Sequence, residues 1–384
     1  MNKVKTDSFW NRIIYIVSTI IVFAIAFLFL GPRPDGMKGM LDVSFFADVP
    51  YHLVYGMIAA LLSAAIWLHI ASYLGWPVST THSIIGGVLG FGVIAGGVDV
   101  VNWGRVVNVV LSWVISPVMG GLFAYLVFQY INKAIFSTRR PLAHAKELLP
   151  FIVSVVFFIL SIAICYKGLK NLHLDLEFSN VLLIAFVMGI LGFFLSKVLV
   201  RYIPDDDSKD FAHQFNTTEN LFKYLQILTA FYIAFAHGSN DVANAVGPLA
   251  AVVSILDGGV VGMKVAMPIW ILGLGGGFIV FGLMVWGYRV MATVGENITD
   301  ITPSRGFCAT FGAASVVLIC SKMGLPISTT HTLVGSIIGV GLARGLPTLN
   351  LGIIKMIFIS WVTTIPFTAI ISMIFFKAFL LFLP

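Results

Sequence analysis

Gly75-Trp-Pro-Val-Ser-Thr-Thr-His-Ser-Ile-Ile-Gly-Gly-Val-Leu-Gly-Phe-Gly92 returns much later in the chain as Gly324-Leu-Pro-Ile-Ser-Thr-Thr-His-Thr-Leu-Val-Gly-Ser-Ile-Ile-Gly-Val-Gly341. Nine of the eighteen positions are identical and most of the others exchange like for like, which marks an internal duplication. An echo follows each copy: Ser112-Trp113 with Pro117, and Ser360-Trp361 with Pro366, one residue out of register. Each copy sets a proline and four polar residues between apolar pieces. In the second copy these pieces are Phe307 to Cys320 and Leu333 to Ala343, about 21 and 17 Å of helix at ~1.5 Å per residue, short of a ~30 Å hydrocarbon core. The geometry expected is a re-entrant helical hairpin with its polar tip at mid-membrane depth, because lipid cannot satisfy irregular backbone.

The rest of the 384-residue chain supports a membrane setting. Hydrophobic residues make up 59% and charged residues 10%, and the mean hydropathy is +0.98; soluble domains carry about 25% charged residues. Apolar segments fall at 13–31, 53–74, 83–98, 104–132, 148–167, 179–200, 221–256, 261–288, 306–320, 333–345 and 351–383. The fold expected is an all-α polytopic membrane protein of about 9–11 membrane segments, built from a duplicated unit as secondary transporters commonly are. The run from Ile13 to Leu30 lacks a small-residue cleavage site and reads as a retained first helix.

Net charge is +6, but the basic residues sit in short connections, so no nucleic-acid partner is read from it. Residues 133–147 and 197–223 are both basic and separated by two spans, which places both on the cytoplasmic side. The acidic run Asp205, Asp206, Asp207 and Asp210 reads as a solvated loop. Cys165, Cys308 and Cys320 lie in apolar stretches without metal-ligand spacing and read as packing residues.

At the hairpin tips, Pro77 and Pro326 break the entering helix. Ser79, Thr80, Ser328 and Thr329 are N-cap types for the outgoing helix, whose free N–H groups and dipole make an anion site. The hydroxyls of Thr81 and Thr330 add donors. Two facing tips would surround a compact oxyanion. A purely structural reading has these hydroxyls bonding their own turn. His82 and His331 either donate to the anion, orient a hydroxyl, or pack against a backbone carbonyl. Gly86 with Gly90, and Gly335 with Gly339, have the spacing that lets helices approach closely.

The second constellation is Ala236-His-Gly-Ser-Asn-Asp-Val-Ala-Asn-Ala-Val-Gly247, a polar island in a long apolar stretch. Asp241 is the acidic residue placed inside a membrane segment, at a cost of ~2.5–3.5 kcal/mol on insertion scales, so it should face a cavity or a cation. Asn240, Asp241 and Asn244 gather amide and carboxylate oxygens on one side of a helix, a set suited to Na⁺. Gly238 and Gly247 would permit unwinding at either end, and the alternative is a network that only holds helices together. Thr302-Pro-Ser-Arg-Gly-Phe307 reads as a helix start, with Arg305 as an interfacial anchor.

Together, Ser239-Asn-Asp-Val-Ala-Asn-Ala245 and the doubled Gly-x-Pro-x-Ser-Thr-Thr-His resemble the inorganic phosphate transporter family over roughly residues 51–384. The resemblance implies a plasma-membrane symporter of inorganic phosphate driven by Na⁺ or H⁺, with no other cofactor and no catalytic residues. It implies two inverted repeats: 1–132 with a hairpin around 75–98, and 221–384 with a hairpin around 306–345, joined by connecting helices and basic loops at 133–220. Asn240, Asp241 and Asn244 would be cation and phosphate ligands; Ser79, Thr80, Thr81, Ser328, Thr329 and Thr330 would cradle phosphate.

The family carries an Asn-Asp segment before each hairpin, whereas residues 1–74 hold no Asn-Asp pair and no asparagine beyond Asn2 and Asn11. The N-terminal repeat therefore reads as incomplete, with three explanations open: a degenerate, transport-inactive copy, assembly with a second copy as a homo-oligomer, or asymmetric binding. Sulfate is an alternative substrate. An intramembrane hydrolase pairing Ser79 with His82 and Ser328 with His331 is disfavoured, because catalysis needs one oriented set rather than two symmetric ones.

Overall fold

A computed structural model describes residues 39–165, 176–203, 210–258, 268–322 and 327–382. Ten helices carry these residues: α1 (Pro50–Tyr73), α2 (Thr80–Gly96), α3 (Trp103–Ile131), α4 (Pro141–Ala163), α5 (Phe178–Arg201), α6 (Phe211–Leu256), α7 (Ile269–Asn297, with π turns), α8 (Pro303–Lys322), α9 (Thr329–Arg344) and α10 (Leu351–Phe382). The only β pairing among the described residues is one antiparallel bridge, Leu41 with Val101. Every helix except α2 and α9 is long and apolar enough to cross a membrane. Each of the ten overlaps one apolar segment of the sequence; the segment at 13–31, with the expected first helix, and Asp205–Asp207 lie outside the described residues.

Local chemistry sets the boundaries. Proline begins α1, α4 and α8, where its missing N–H is not needed. The chain leaves α1 through Gly75 at φ 72°, a left-handed turn that glycine takes without strain. It re-enters helix at Ser79.

Two expectations are corrected. The entering arm of the second hairpin is not a short Phe307–Cys320 piece but the 20-residue α8, about 30 Å long. The extra turn begins at Pro303, inside the helix start read at Thr302–Phe307, and Glu219 caps it. Its Oε2 accepts from the Ser304 N–H at 2.9 Å, and its Oε1 accepts from the Thr302 and Ser304 hydroxyls at 3.0 and 2.8 Å, so a carboxylate from α6 caps the helix start. Arg305 donates to the Asp300 carbonyl at 3.1 Å. The second correction concerns α6, which does not unwind at Gly238 or Gly247 but runs unbroken for 46 residues. Glycine costs a helix about 1 kcal/mol, less than leaving backbone groups unpaired in hydrocarbon.

The hairpins are exchanged in their packing: α2 lies on α10 and α9 lies on α3, so each outgoing arm seats on the long helix that follows the other hairpin. The glycine pairs make this possible. A Cβ at Gly335 or Gly339 would run into the Pro117 or Gly121 carbonyl of α3, and one at Gly86 or Gly90 into Thr368 or the Ala369 carbonyl of α10. Inside lipid, such close packing replaces the hydrophobic effect as the force joining helices. Gly339→Val should therefore push α9 off α3 and destabilise the fold by more than about 3 kcal/mol. A fluorescence melt in detergent checks this, and an unchanged Tm would contradict it.

Candidate functional site

The two tips are built alike. Ser79 (φ −90°, ψ 121°) and Ser328 (φ −95°, ψ 118°) are the N-caps of α2 and α9. Their Oγ atoms accept from the His82 and His331 N–H groups, each at 3.2 Å. One turn on, Ser83 and Thr332 return hydroxyl bonds to the Ser79 and Ser328 carbonyls, each at 2.8 Å. Both cap serines are buried. Ser328→Ala should cost about 1 kcal/mol of stability, read as a lowered Tm; no change would mean that the cap bond contributes nothing.

Both tips meet α6 at Asp241. Its Oδ2 accepts from Thr80 Oγ1 of the first tip at 3.2 Å and from Thr329 Oγ1 of the second at 2.8 Å. The same oxygen lies 2.7 Å from His237 Nε2, one turn back on α6. Oδ1 accepts from Asn240 Nδ2 at 2.8 Å. Asn244 Nδ2 donates to Thr81 Oγ1 at 3.0 Å. The Asp241 side chain is 7% exposed, so a carboxylate costly to bury is held by four donors.

The site is lopsided. Thr81 has Asn244, but its counterpart Thr330 makes no side-chain hydrogen bond among the described residues, and residues 39–74 contain no asparagine to meet it. The structure thus brings together Thr80, Thr81, Thr329, Asn240, Asp241 and Asn244, uses Ser79 and Ser328 as caps, and leaves Thr330 unengaged. Two further residues join: His237, which lies four residues before Asp241 on the same helix face, and Ser321 at the end of α8, which donates to Asn240 Oδ1 at 3.3 Å. The spacing of four was the available signal for His237; nothing in the sequence pointed to Ser321.

The ring nitrogens of His82 and His331 touch neither a hydroxyl nor a carbonyl among the described residues. Neither serine is poised as a nucleophile, since neither has a ring nitrogen as its base. Hard oxygens from three helices meeting at one buried carboxylate can hold a cation, and the unused N–H groups of two helix starts beside it can hold an anion.

A polar junction of this kind, in an all-helical protein with eight membrane-capable helices among the described residues, has the makings of a transporter. The family model described as "Phosphate transporter family" matches residues 4–372, and the chain belongs to that family. A relative from Pyrococcus horikoshii named "Putative phosphate permease" is 47% identical over 345 residues, covering 90% of this chain and 82% of the relative. A namesake from Haemophilus influenzae is 43% identical over 368 residues, covering 94% and 86%. A solved structure described as "The sodium-dependent phosphate transporter" superposes with a TM-score of 0.81 at 42% identity, covering 90% of this chain and 84% of that one.

Proposed function

We propose that this phosphate transporter is a secondary active symporter that takes up inorganic phosphate across the plasma membrane with Na⁺, through a site made by the hairpin tips and the Asn240–Asn244 turn. The observation that carries the reading is the convergence of both tips on one buried carboxylate. Without a cation, Asp241 draws the Thr80 and Thr329 hydroxyl protons to itself. A cation at Asp241 takes up that negative charge and turns the threonine oxygens into ligands, with Asn240 and Asn244 completing the oxygen shell. The same neutralisation removes the charge that would repel phosphate, so cation binding precedes anion binding. Phosphate is then held by the first N–H groups of α2 and α9 with the Ser79, Thr80, Thr81, Ser328, Thr329 and Thr330 hydroxyls around it. Na⁺ is preferred to H⁺ as the driving ion because the ligands are hard oxygens and because the superposed structure is named sodium-dependent.

The repeats divide the chain as 1–132, 133–220 and 221–384, in inverted orientation. The unengaged Thr330 favours asymmetric use of the site, one Asn-Asp turn serving both tips, over recruitment of a second copy. Radiolabelled phosphate uptake into proteoliposomes, with imposed Na⁺ or proton gradients and sulfate as competitor, tests the proposal. Saturable uptake driven by Na⁺ and little reduced by sulfate is expected. No uptake by folded protein would favour the degenerate, transport-inactive reading, and strong competition by sulfate would change the substrate.

A further inference from the structure

The open end of the second hairpin, opposite its tip, carries two arginines that the central site does not use. Arg305 sits in the first turn of α8, and Arg344 is the last residue of α9. Both reach one acceptor: their Nη1 atoms donate to the Asp300 carbonyl at 3.1 and 3.3 Å. One arginine would suffice to tie down that carbonyl, and the second brings a like charge against the first. Neither guanidinium forms an ion pair among the described residues. Glu219, which reaches this end from α6, already accepts from the Ser304 N–H and from the Thr302 and Ser304 hydroxyls. A guanidinium has five N–H donors in a planar fork, and each of these two spends one on a neutral oxygen.

Arg344 also lines a hollow of about 330 Å³ together with Glu296, Asn297, Asp300 and Asn350. Asn350 Oδ1 caps α10 by accepting from the Ile353 N–H at 3.2 Å, which leaves its amide nitrogen as a donor for whatever enters. Asn297, exposed on the same hollow, offers a second amide. Guanidinium forks and amides converging on one hollow are the donors an oxyanion needs.

The carboxylates narrow the choice of oxyanion. Glu296 and Asp300 are exposed and face the same hollow, so they repel an anion that has no proton to share. Near neutral pH inorganic phosphate keeps at least one P–OH, which donates to a carboxylate oxygen. Sulfate is fully ionised, and the phosphodiester of a lipid headgroup has no P–OH. We infer that the base of the second hairpin holds a second site for inorganic phosphate. Arg305 and Arg344 grip its ionised oxygens, and the Glu296 and Asp300 carboxylates accept from its P–OH. Glu219 ties this end to the start of α6, on the side where the basic connections place the cytoplasm. Phosphate leaving the central site therefore meets the second site on its way out. That route rests on the proposed function; the second site itself does not.

Equilibrium dialysis of the purified protein against radiolabelled phosphate in Na⁺-free choline buffer tests this, because the central site takes an anion only after a cation. About one phosphate per chain is expected from the wild type. Arg305→Gln or Arg344→Gln should weaken binding about tenfold or more, the loss of a charge-assisted bond. Neither sulfate nor phosphatidylglycerol should displace phosphate from the wild type, whereas sulfate should compete in the double variant Glu296→Gln, Asp300→Asn. No binding by folded wild type, binding that survives both arginine changes, or displacement from the wild type by sulfate or by the lipid would overturn the proposal. Should an arginine variant fail to fold, phenylglyoxal labelling of the wild type, read by mass spectrometry, gives the answer. Phosphate must protect Arg305 and Arg344, and equal labelling with and without it refutes the site. Na⁺-driven uptake is measured on the same preparation. Binding in choline without uptake sinks the transport reading alone, whereas uptake without that binding sinks the second site alone.

Discussion

Asp241→Asn should abolish Na⁺-driven phosphate uptake, by at least about a hundredfold, in a protein that still inserts and folds. The substitution keeps the shape and removes the charge. The native carboxylate presents two oxygens to four donors. An asparagine has one oxygen, and its amide would face either Asn240 Nδ2, donor against donor, or the threonine hydroxyls, which would have to turn round and accept. The destabilisation is about 1–3 kcal/mol, partly offset because no charge then has to be buried. A cation loses its one formal negative ligand, and a hundredfold loss of affinity corresponds to about 2.7 kcal/mol, modest for a charge contact out of water. Uptake measured against imposed Na⁺ gradients decides the matter; unchanged ion dependence would remove Asp241 from the cation site.

Thr329→Val should raise the half-saturation concentration for phosphate about tenfold or more, while maximal uptake falls less. Valine matches threonine in shape, so α9 keeps its start, which depends on the Ser328 oxygen. What disappears is the shortest hydroxyl contact between a tip and Asp241, 2.8 Å long, and with it a donor for the anion. One buried hydrogen bond to a charged group contributes about 1.5–3 kcal/mol, hence the factor of ten. Thr80→Val, at 3.2 Å, should act in the same direction and more weakly. Kinetics of radiolabelled uptake separate the two parameters, and a normal half-saturation would make the tip contact purely structural.

Where the chemistry is local, the sequence is a sufficient guide. Capping depends on the few residues around Ser79 and Ser328, so the doubled motif already defines how both tips begin. A carboxylate in an apolar run stands out because of its cost, so Asp241 was visible without coordinates. What was hidden depends on distant partners. The start of α8 was legible in Thr302-Pro-Ser-Arg, but not the Glu219 carboxylate that caps it from far away in sequence. The glycines of α6 looked like hinges because local preference favours one there; the demand of a membrane for paired backbone overrules that preference. His237 sat within the recognised polar island, yet its bond to Asp241 is an ordinary one-turn contact that becomes meaningful only once both tips are seen to reach the same oxygen. The paired Trp113 and Trp361 were evident as an echo, but their seating beside histidines, one from each hairpin, is a tertiary fact.

The exchange of arms bears on how the protein is made. Because α2 seats on α10, the Gly86–Gly90 face of the first hairpin has no permanent neighbour until α10 is made, whereas α9 finds α3 already in place. Neither hairpin can mature as an independent unit during synthesis. The first must wait in the bilayer, with Gly86 and Gly90 turned to lipid or to a chaperoning insertase, until α10 joins it. The first hairpin therefore closes after the second, so interrupting translation between α9 and α10 should yield material that inserts but is quickly degraded, rather than half a transporter.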